Sequence, residues 1–177
     1  MRKTLTVICL ILIFFLIYFL QANIFSTFTI AGVKPNLLVI YVLFIGLFAN
    51  QFIGISFGVV IGLIIDFLYG KTIGISAVMF CIIGYLGSYF DKNFSKENKM
   101  TIIFMVAGAT FIYELGAYFL NSVILKFDRE FLYFTKIVLI EMLYNVLLSI
   151  IIYPLIQKTG YIIDRNFKKN NILTRYF

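Results

Sequence analysis

Histidine is absent from the 177 residues, and charged residues are scarce at 13%. The first absence removes the commonest metal ligand and the commonest general base near neutral pH, so many enzyme classes fall away. Cysteine is nearly absent too: Cys9 and Cys81 each lie alone inside an apolar run. With neither CxxC spacing nor density they specify no zinc site and no disulfide framework, and they read as packing residues. Acids are the rarer charge, 8 against 15 Lys and Arg, for a net +7. Those basic residues sit between apolar runs instead of forming one stripe. That pattern is membrane topology, not nucleic-acid binding.

What is present is apolar. Hydrophobic residues make up 62% of the chain, where a soluble domain carries about 45–50%. The charge-free stretches are 4–33, 35–65, 72–90, 100–113, 115–125 and 142–157. They predict an all-α integral membrane protein, six transmembrane helices in one bundle. Residues 1–177 form a single polytopic domain with spans at about 4–20, 36–50, 52–69, 72–90, 100–125 and 132–157, then a basic cytoplasmic tail, 158–177.

Three boundaries need argument. Thr4–Leu20 follows Arg2 and Lys3 like a signal peptide, but its 17 uncharged residues exceed the usual run of about 7–15, and Gln21-Ala22-Asn23 is no cleavage site. It reads as an uncleaved first span, followed by a loop or short extended connection from Gln21 to Pro35. From Asn36 to Ile65 one helix would be about 45 Å long against a hydrocarbon core of roughly 30 Å, so a tight turn is placed at Asn50-Gln51. Pro154 falls in the last turn of span six or kinks it. With the N-terminus inside, Lys and Arg divide ten inside to five outside, which puts both termini in the cytoplasm. Tyr18, Tyr69, Tyr89, Tyr133 and Tyr153 fall at span ends, where amphipathic rings suit the headgroup level.

The strongest pattern is Gly54-x3-Gly58-x3-Gly62-x3-Asp66-x3-Gly70-x3-Gly74. Small residues four apart make a slowly winding groove that lets another helix backbone approach, either within this chain or on a partner. Asp66 reads as a loop ion pair with Lys71, a helix-end hydrogen bond, or a binding or gating residue. Gly70 and Gly74 suit the turn that follows, because glycine accepts positive φ. Glu114 lies mid-span, and Glu141 and Asn145 share one face of the last span at i, i+4. An acid at that depth costs about 2.5–3.5 kcal/mol on insertion scales and faces the bundle interior. Three roles stay open for these groups: an interhelical hydrogen bond, a proton or solute site, and a partner contact. No base-activated nucleophile accompanies them, which argues against catalysis.

The stretch from Gly58 through Gly62, Asp66 and Gly70 to Gly74 resembles the G-x3-G-L-x2-D-x3-G-x3-G signature of the bacterial rod shape-determining MreD family. Lys34-Pro35-Asn36-Leu37-Leu38 is similar to that family's Pro-Asp-Leu-Leu start of span two, with Asn36 replacing the acid. Tyr144-Asn145 and Tyr153-Pro154-Leu155 resemble its terminal helix. The resemblance implies a non-enzymatic scaffold of the cell-elongation, peptidoglycan-synthesising complex in the bacterial cytoplasmic membrane, without cofactors. Its implied partners are MreC, MreB, and RodA with its class B penicillin-binding transpeptidase. The glycine-lined surface, or an adjacent groove, would receive a partner's membrane helix. The family also looks distantly like the substrate-binding subunits of energy-coupling-factor vitamin transporters, which supplies the alternative function. Span one lacks the Ala-x3-Ala docking pattern of those subunits.

Overall fold

The structure, a computed structural model, describes residues 2–69, 72–94, 96–125 and 131–168. Six α-helices make it up: α1 (Arg2–Phe19), α2 (Leu37–Phe48), α3 (Gln51–Tyr69), α4 (Ile75–Asn93), α5 (Lys99–Leu125) and α6 (Phe131–Phe167). The chain is a helical, multi-pass membrane protein, and α1, α3, α5 and α6 are each long and apolar enough to cross a bilayer.

The second helix explains the arrangement. Leu-Leu-Val-Ile-Tyr-Val-Leu-Phe-Ile-Gly-Leu-Phe is apolar on every side, and such a helix belongs in an interior. All twelve residues of α2 are buried, and each of the other five helices packs against it. At 1.5 Å per residue α2 is only about 18 Å long, so it is a central strut, shorter than the span expected at 36–50. The chain reaches its start through a lead-in segment, 25–36. A π-helical turn, Leu20–Ile24, extends α1, and Ala31 and Gly32 then reverse direction at φ 51° and 81°. Asn36 caps α2 by accepting from the Val39 N–H at 3.4 Å. The Tyr41 hydroxyl donates to the Leu10 carbonyl at 2.6 Å and ties α2 to α1.

The turn between α2 and α3 falls at Ala49-Asn50. Ala49 is extended, and the Asn50 side chain accepts from the Phe52 N–H at 2.9 Å, capping α3. From there α3 runs beside α4, and their contact is the most extensive in the bundle.

The C-terminal segment departs from expectation. Helix α6 passes straight through Pro154 and continues to Phe167, so residues 158–167 are helix, not tail; 169–177 lie outside the described residues. The exposed side of α6 carries Pro154, and packing further along holds the helix together. Gly160 leaves room for the ring of Phe48, and Tyr161 meets that ring edge-on at 6.4 Å. Tyr153 is buried, and its hydroxyl donates to the Glu97 carbonyl at 2.8 Å.

Candidate functional site

The glycine track is occupied from within the chain. A Cβ on Gly54 would stand 2.7 Å from the Gly46 Cα and 2.8 Å from the Gly84 carbonyl oxygen. On Gly58 it would strike the Phe80 carbonyl, and on Gly62 the Ala77 backbone. In return, Gly84 and Gly87 of α4 face Gly54 and the Leu43–Leu47 stretch of α2. Glycines therefore let α2, α3 and α4 press backbone to backbone, and this face has no room for a partner's helix. Gly46, Ala77, Gly84 and Gly87 are the other half of the contact. The sequence reading did not single out Ala77, Gly84 and Gly87, whose only signal is their small size on one side of span four. Cys81 is half-buried and Cys9 is exposed on α1.

Asp66 ends the track as a helix cap. Its Oδ2 accepts from the Gly74 and Ala77 N–H groups at 2.8 and 3.3 Å, and Oδ1 from the Ser76 N–H at 3.1 Å. These are the free donors at the start of α4, where the helix dipole also favours an anion. Gly74, at φ 111°, makes the turn that brings them round. Gly70 and Lys71 lie outside the described residues, and with them the ion pair considered for Asp66.

From Ser76 a polar network crosses the interior. The Tyr113 hydroxyl of α5 is in hydrogen-bond contact with Ser76 and with the Asn36 side chain. Asn36 in turn meets Glu141, and its backbone N–H donates to the Asn145 Oδ1 at 2.9 Å. Asn145 donates through Nδ2 to the Thr110 Oγ1 at 3.0 Å. Beside these, Glu141 is in hydrogen-bond contact with Glu114, and the Lys34 ammonium lies near enough to act on it. Pro35 is buried just before Asn36, and one turn along α6 the Tyr144 hydroxyl donates to the Phe28 carbonyl at 3.0 Å. The Phe28 carbonyl and the Asn36 N–H of the lead-in segment thereby find partners on α6. Sequence reading singled out Asn36, Asp66 and Glu114 separately and set Glu141 and Asn145 on one face of span six. The fold joins them and adds Ser76, Thr110 and Tyr113.

One atom is left over. Glu141 is 6% exposed, and its Oε1 has no hydrogen-bond partner among the described residues.

The other end of the bundle holds a cluster the sequence hid. Lys96 contacts Asp91 at 3.0 Å and Asp164 at 2.9 Å; Lys168 contacts Asp91 at 2.7 Å, Asp164 at 3.3 Å and the Leu47 carbonyl at 2.9 Å. Lys96 is buried and stands 5.0 Å over the Phe48 ring. Burial pushes the Asp91 carboxyl up, but the two lysines outweigh it and hold it below the ordinary carboxylate value. Burial drags the Lys168 ammonium down by more than Asp91 restores. The four groups clamp the α4–α5 connection and the end of α6 over the foot of α2.

Between α4 and α5 near this end, Phe90, Phe94, Met100, Thr101, Phe104 and Met105 line an apolar groove of about 370 Å³. Phe104 is 72% exposed there. Among the described residues no group of three His, Cys, Asp or Glu is placed to hold a metal ion.

Compared with known proteins, residues 1–159 match the family profile of the rod shape-determining protein MreD. No curated protein and no solved structure matches the chain.

Proposed function

The chain belongs to the MreD family of rod shape-determining proteins, with a role in rod-shape determination, and from that premise we propose that it is a non-enzymatic membrane scaffold of the cell-elongation machinery. It sits in the bacterial cytoplasmic membrane with both termini inside. Its partners are the family's associates in peptidoglycan synthesis: MreC, MreB, and RodA with its class B penicillin-binding transpeptidase. The reading is carried by the glycine contact, which locks α2, α3 and α4 into one block without flexible side chains between them. A rigid block suits a protein that acts by holding others in place.

Since the track is closed, the partner's membrane helix is assigned to the groove between α4 and α5, where exposed Phe104 and Met100 supply apolar surface on the flank of the block. Replacing both by alanine tests this, because neither side chain supports the interior. The double variant is expected to accumulate normally, lose co-purification of MreC and round up rod-shaped cells. Normal shape and normal co-purification at normal abundance would overturn the groove assignment. Gly58→Leu serves as the contrasting control: it collides with the Phe80 backbone and lowers abundance itself.

A further inference from the structure

Helix α6 is longer than a bilayer requires. Its 37 residues extend about 55 Å, against a hydrocarbon core of roughly 30 Å. The surplus does not run on past the bundle. Gln157 donates to the Lys96 carbonyl at 3.1 Å, Asp164 accepts from the Lys96 ammonium at 2.9 Å, Gly160 meets the Phe48 ring, and Asn166 donates to the Thr6 hydroxyl at 2.8 Å. The end of α6 is thereby strapped to the α4–α5 connection, the foot of α2 and the first turns of α1. This is the level at which α1 and α5 begin and α2 and α4 end.

The outer side of the strap differs from its bonded inner side. Leu155, Lys158, Tyr161, Ile162 and Arg165 recur at helical spacing and are all exposed, Leu155 at 64% and Ile162 at 47%. Among the described residues neither Lys158 nor Arg165 makes an ion pair, because Asp91 and Asp164 meet Lys96 and Lys168 on the inner side. Glu97 is an exposed acid at this end, and it lies on the α4–α5 connection beside Tyr153. A face made for water has no use for Leu155 and Ile162, and a face made for acyl chains has none for Lys158 and Arg165. Both kinds together, with a tyrosine, suit the headgroup layer, where apolar groups enter the acyl boundary and basic ends reach the phosphates.

We propose that the outer face of α6 from Leu155 to Arg165 is a docking surface for anionic phospholipid, with Lys158 and Arg165 on the phosphates and Leu155, Tyr161 and Ile162 at the acyl boundary. A zwitterionic headgroup matches its phosphate with its own ammonium, so unpaired cations select lipids of net negative charge. Asp164 and Lys168 of the same strap hold the ion-pair ring, so lipid on the outside and the clamp on the inside keep one helix end in place. The inference stands independently of the scaffold reading.

The chain has no tryptophan, so Ile162→Trp places a single fluorescent reporter on this face of the full-length protein. In vesicles of mixed phosphatidylglycerol and phosphatidylcholine, brominated phosphatidylglycerol should quench it about twofold or more over brominated phosphatidylcholine at equal mole fraction, because basic side chains gather anionic lipid. Adding Lys158→Gln and Arg165→Gln should abolish that preference, and adding Lys136→Gln, exposed near the opposite end of α6, should leave it. Equal quenching by the two lipids would show a face that touches the bilayer without selecting charge. No quenching by either would show a face turned to water, as it would be if it docked an acidic protein. Each of these results overturns the proposal, as does a preference that survives Lys158→Gln, Arg165→Gln.

Thermal unfolding in detergent supplies a second readout. Phosphatidylglycerol should raise the unfolding temperature of the native chain more than phosphatidylcholine does, and the excess should vanish in Lys158→Gln, Arg165→Gln and in about 0.5 M salt. Without lipid the two proteins should unfold together, since neither cation is ion-paired to the bundle. An equal phosphatidylglycerol shift in both would rule out these residues as the lipid contact.

Discussion

At the foot of α2 two half-buried acids meet two lysines, whereas near its start the buried Glu141 meets a second acid, Glu114. Asp91, Asp164, Lys96 and Lys168 form a closed ring of ion pairs at 2.7–3.3 Å. Glu114 and Glu141 are in hydrogen-bond contact beside the neutral amide of Asn36, and the Glu141 Oε1 has no hydrogen-bond partner among the described residues. Both clusters join α6 to its neighbours at one end of the same central helix. The ring is electrically complete and acts as a clamp. The dyad joins like groups and leaves one oxygen unbonded. The two clusters differ in the groups that meet and also in burial, since Asp164 and Lys168 are half-buried and Glu141 is buried.

The sharpest way to break the comparison is to remove one acid from the ring. Asp91→Ala leaves Lys96 and Lys168 short of a shared partner, and breaking a buried pair costs about 3–5 kcal/mol. The variant is expected to accumulate poorly and to unfold at a markedly lower temperature in detergent. The double variant Asp91→Leu, Lys96→Met removes an acid together with a lysine, leaves Lys168 with Asp164, and should recover most of the loss. Without that recovery, the clamp is not held by charge balance.

Smaller, and at the other end, is the cost of Asp66→Ala. Its carboxylate is balanced by three N–H donors and a helix dipole instead of a lysine, and a cap of that kind is worth up to about 2 kcal/mol. A thermal-unfolding loss as large as that of Asp91→Ala would show that the α4 cap, not the ring, dominates stability.

How much of this was visible in the sequence depends on how local the cause is. The helices and the turn near Asn50 follow from charge-free runs and length, and the Gly54-Gly58-Gly62 track was legible as helix packing because its period is set within one helix. Which surface it met was not legible, since that depends on Gly84 and Gly87 approaching from another helix. Asp66, Glu114, Glu141, Asn145 and Asn36 stood out as polar residues in apolar surroundings, but their convergence depends on the end of the lead-in segment setting Asn36 against α5 and α6. Asp91, Lys96, Asp164 and Lys168 looked like ordinary surface charges flanking spans. Their convergence follows only from α6 running on to Phe167, past the span end expected near 157.

Acid separates the ends without any mutation. The Asp91 carboxyl titrates below its ordinary value in the folded chain, so its contribution is full above the unfolded carboxylate pKa of about 3.9. It disappears as pH falls through the depressed folded value. Lys168 works the other way: burial lowers its pKa, a cost present at neutral pH and relieved as pH rises through the lowered value. Tethering probes on the α4–α5 connection and on the end of α6 should therefore report the clamp opening below pH 4, well before the helices melt. A clamp that stays shut there would place its strength in the Phe48–Gly160 packing instead.

The smallest expected effect discriminates best. Glu141→Gln keeps the shape and the contacts to Asn36 and Glu114 while deleting one of two like charges, so its cost at pH 7 should stay under about 1 kcal/mol. The same acid-to-amide change at Asp91 takes the counter-charge from two ammonium groups, one buried and one half-buried, and should approach the cost of alanine there. Measured side by side in thermal unfolding, the pair compares an acid held by two lysines with one held by another acid and an amide. Equal losses would mean that the two clusters are held by the same hydrogen-bonding term, and the contrast between clamp and dyad would vanish.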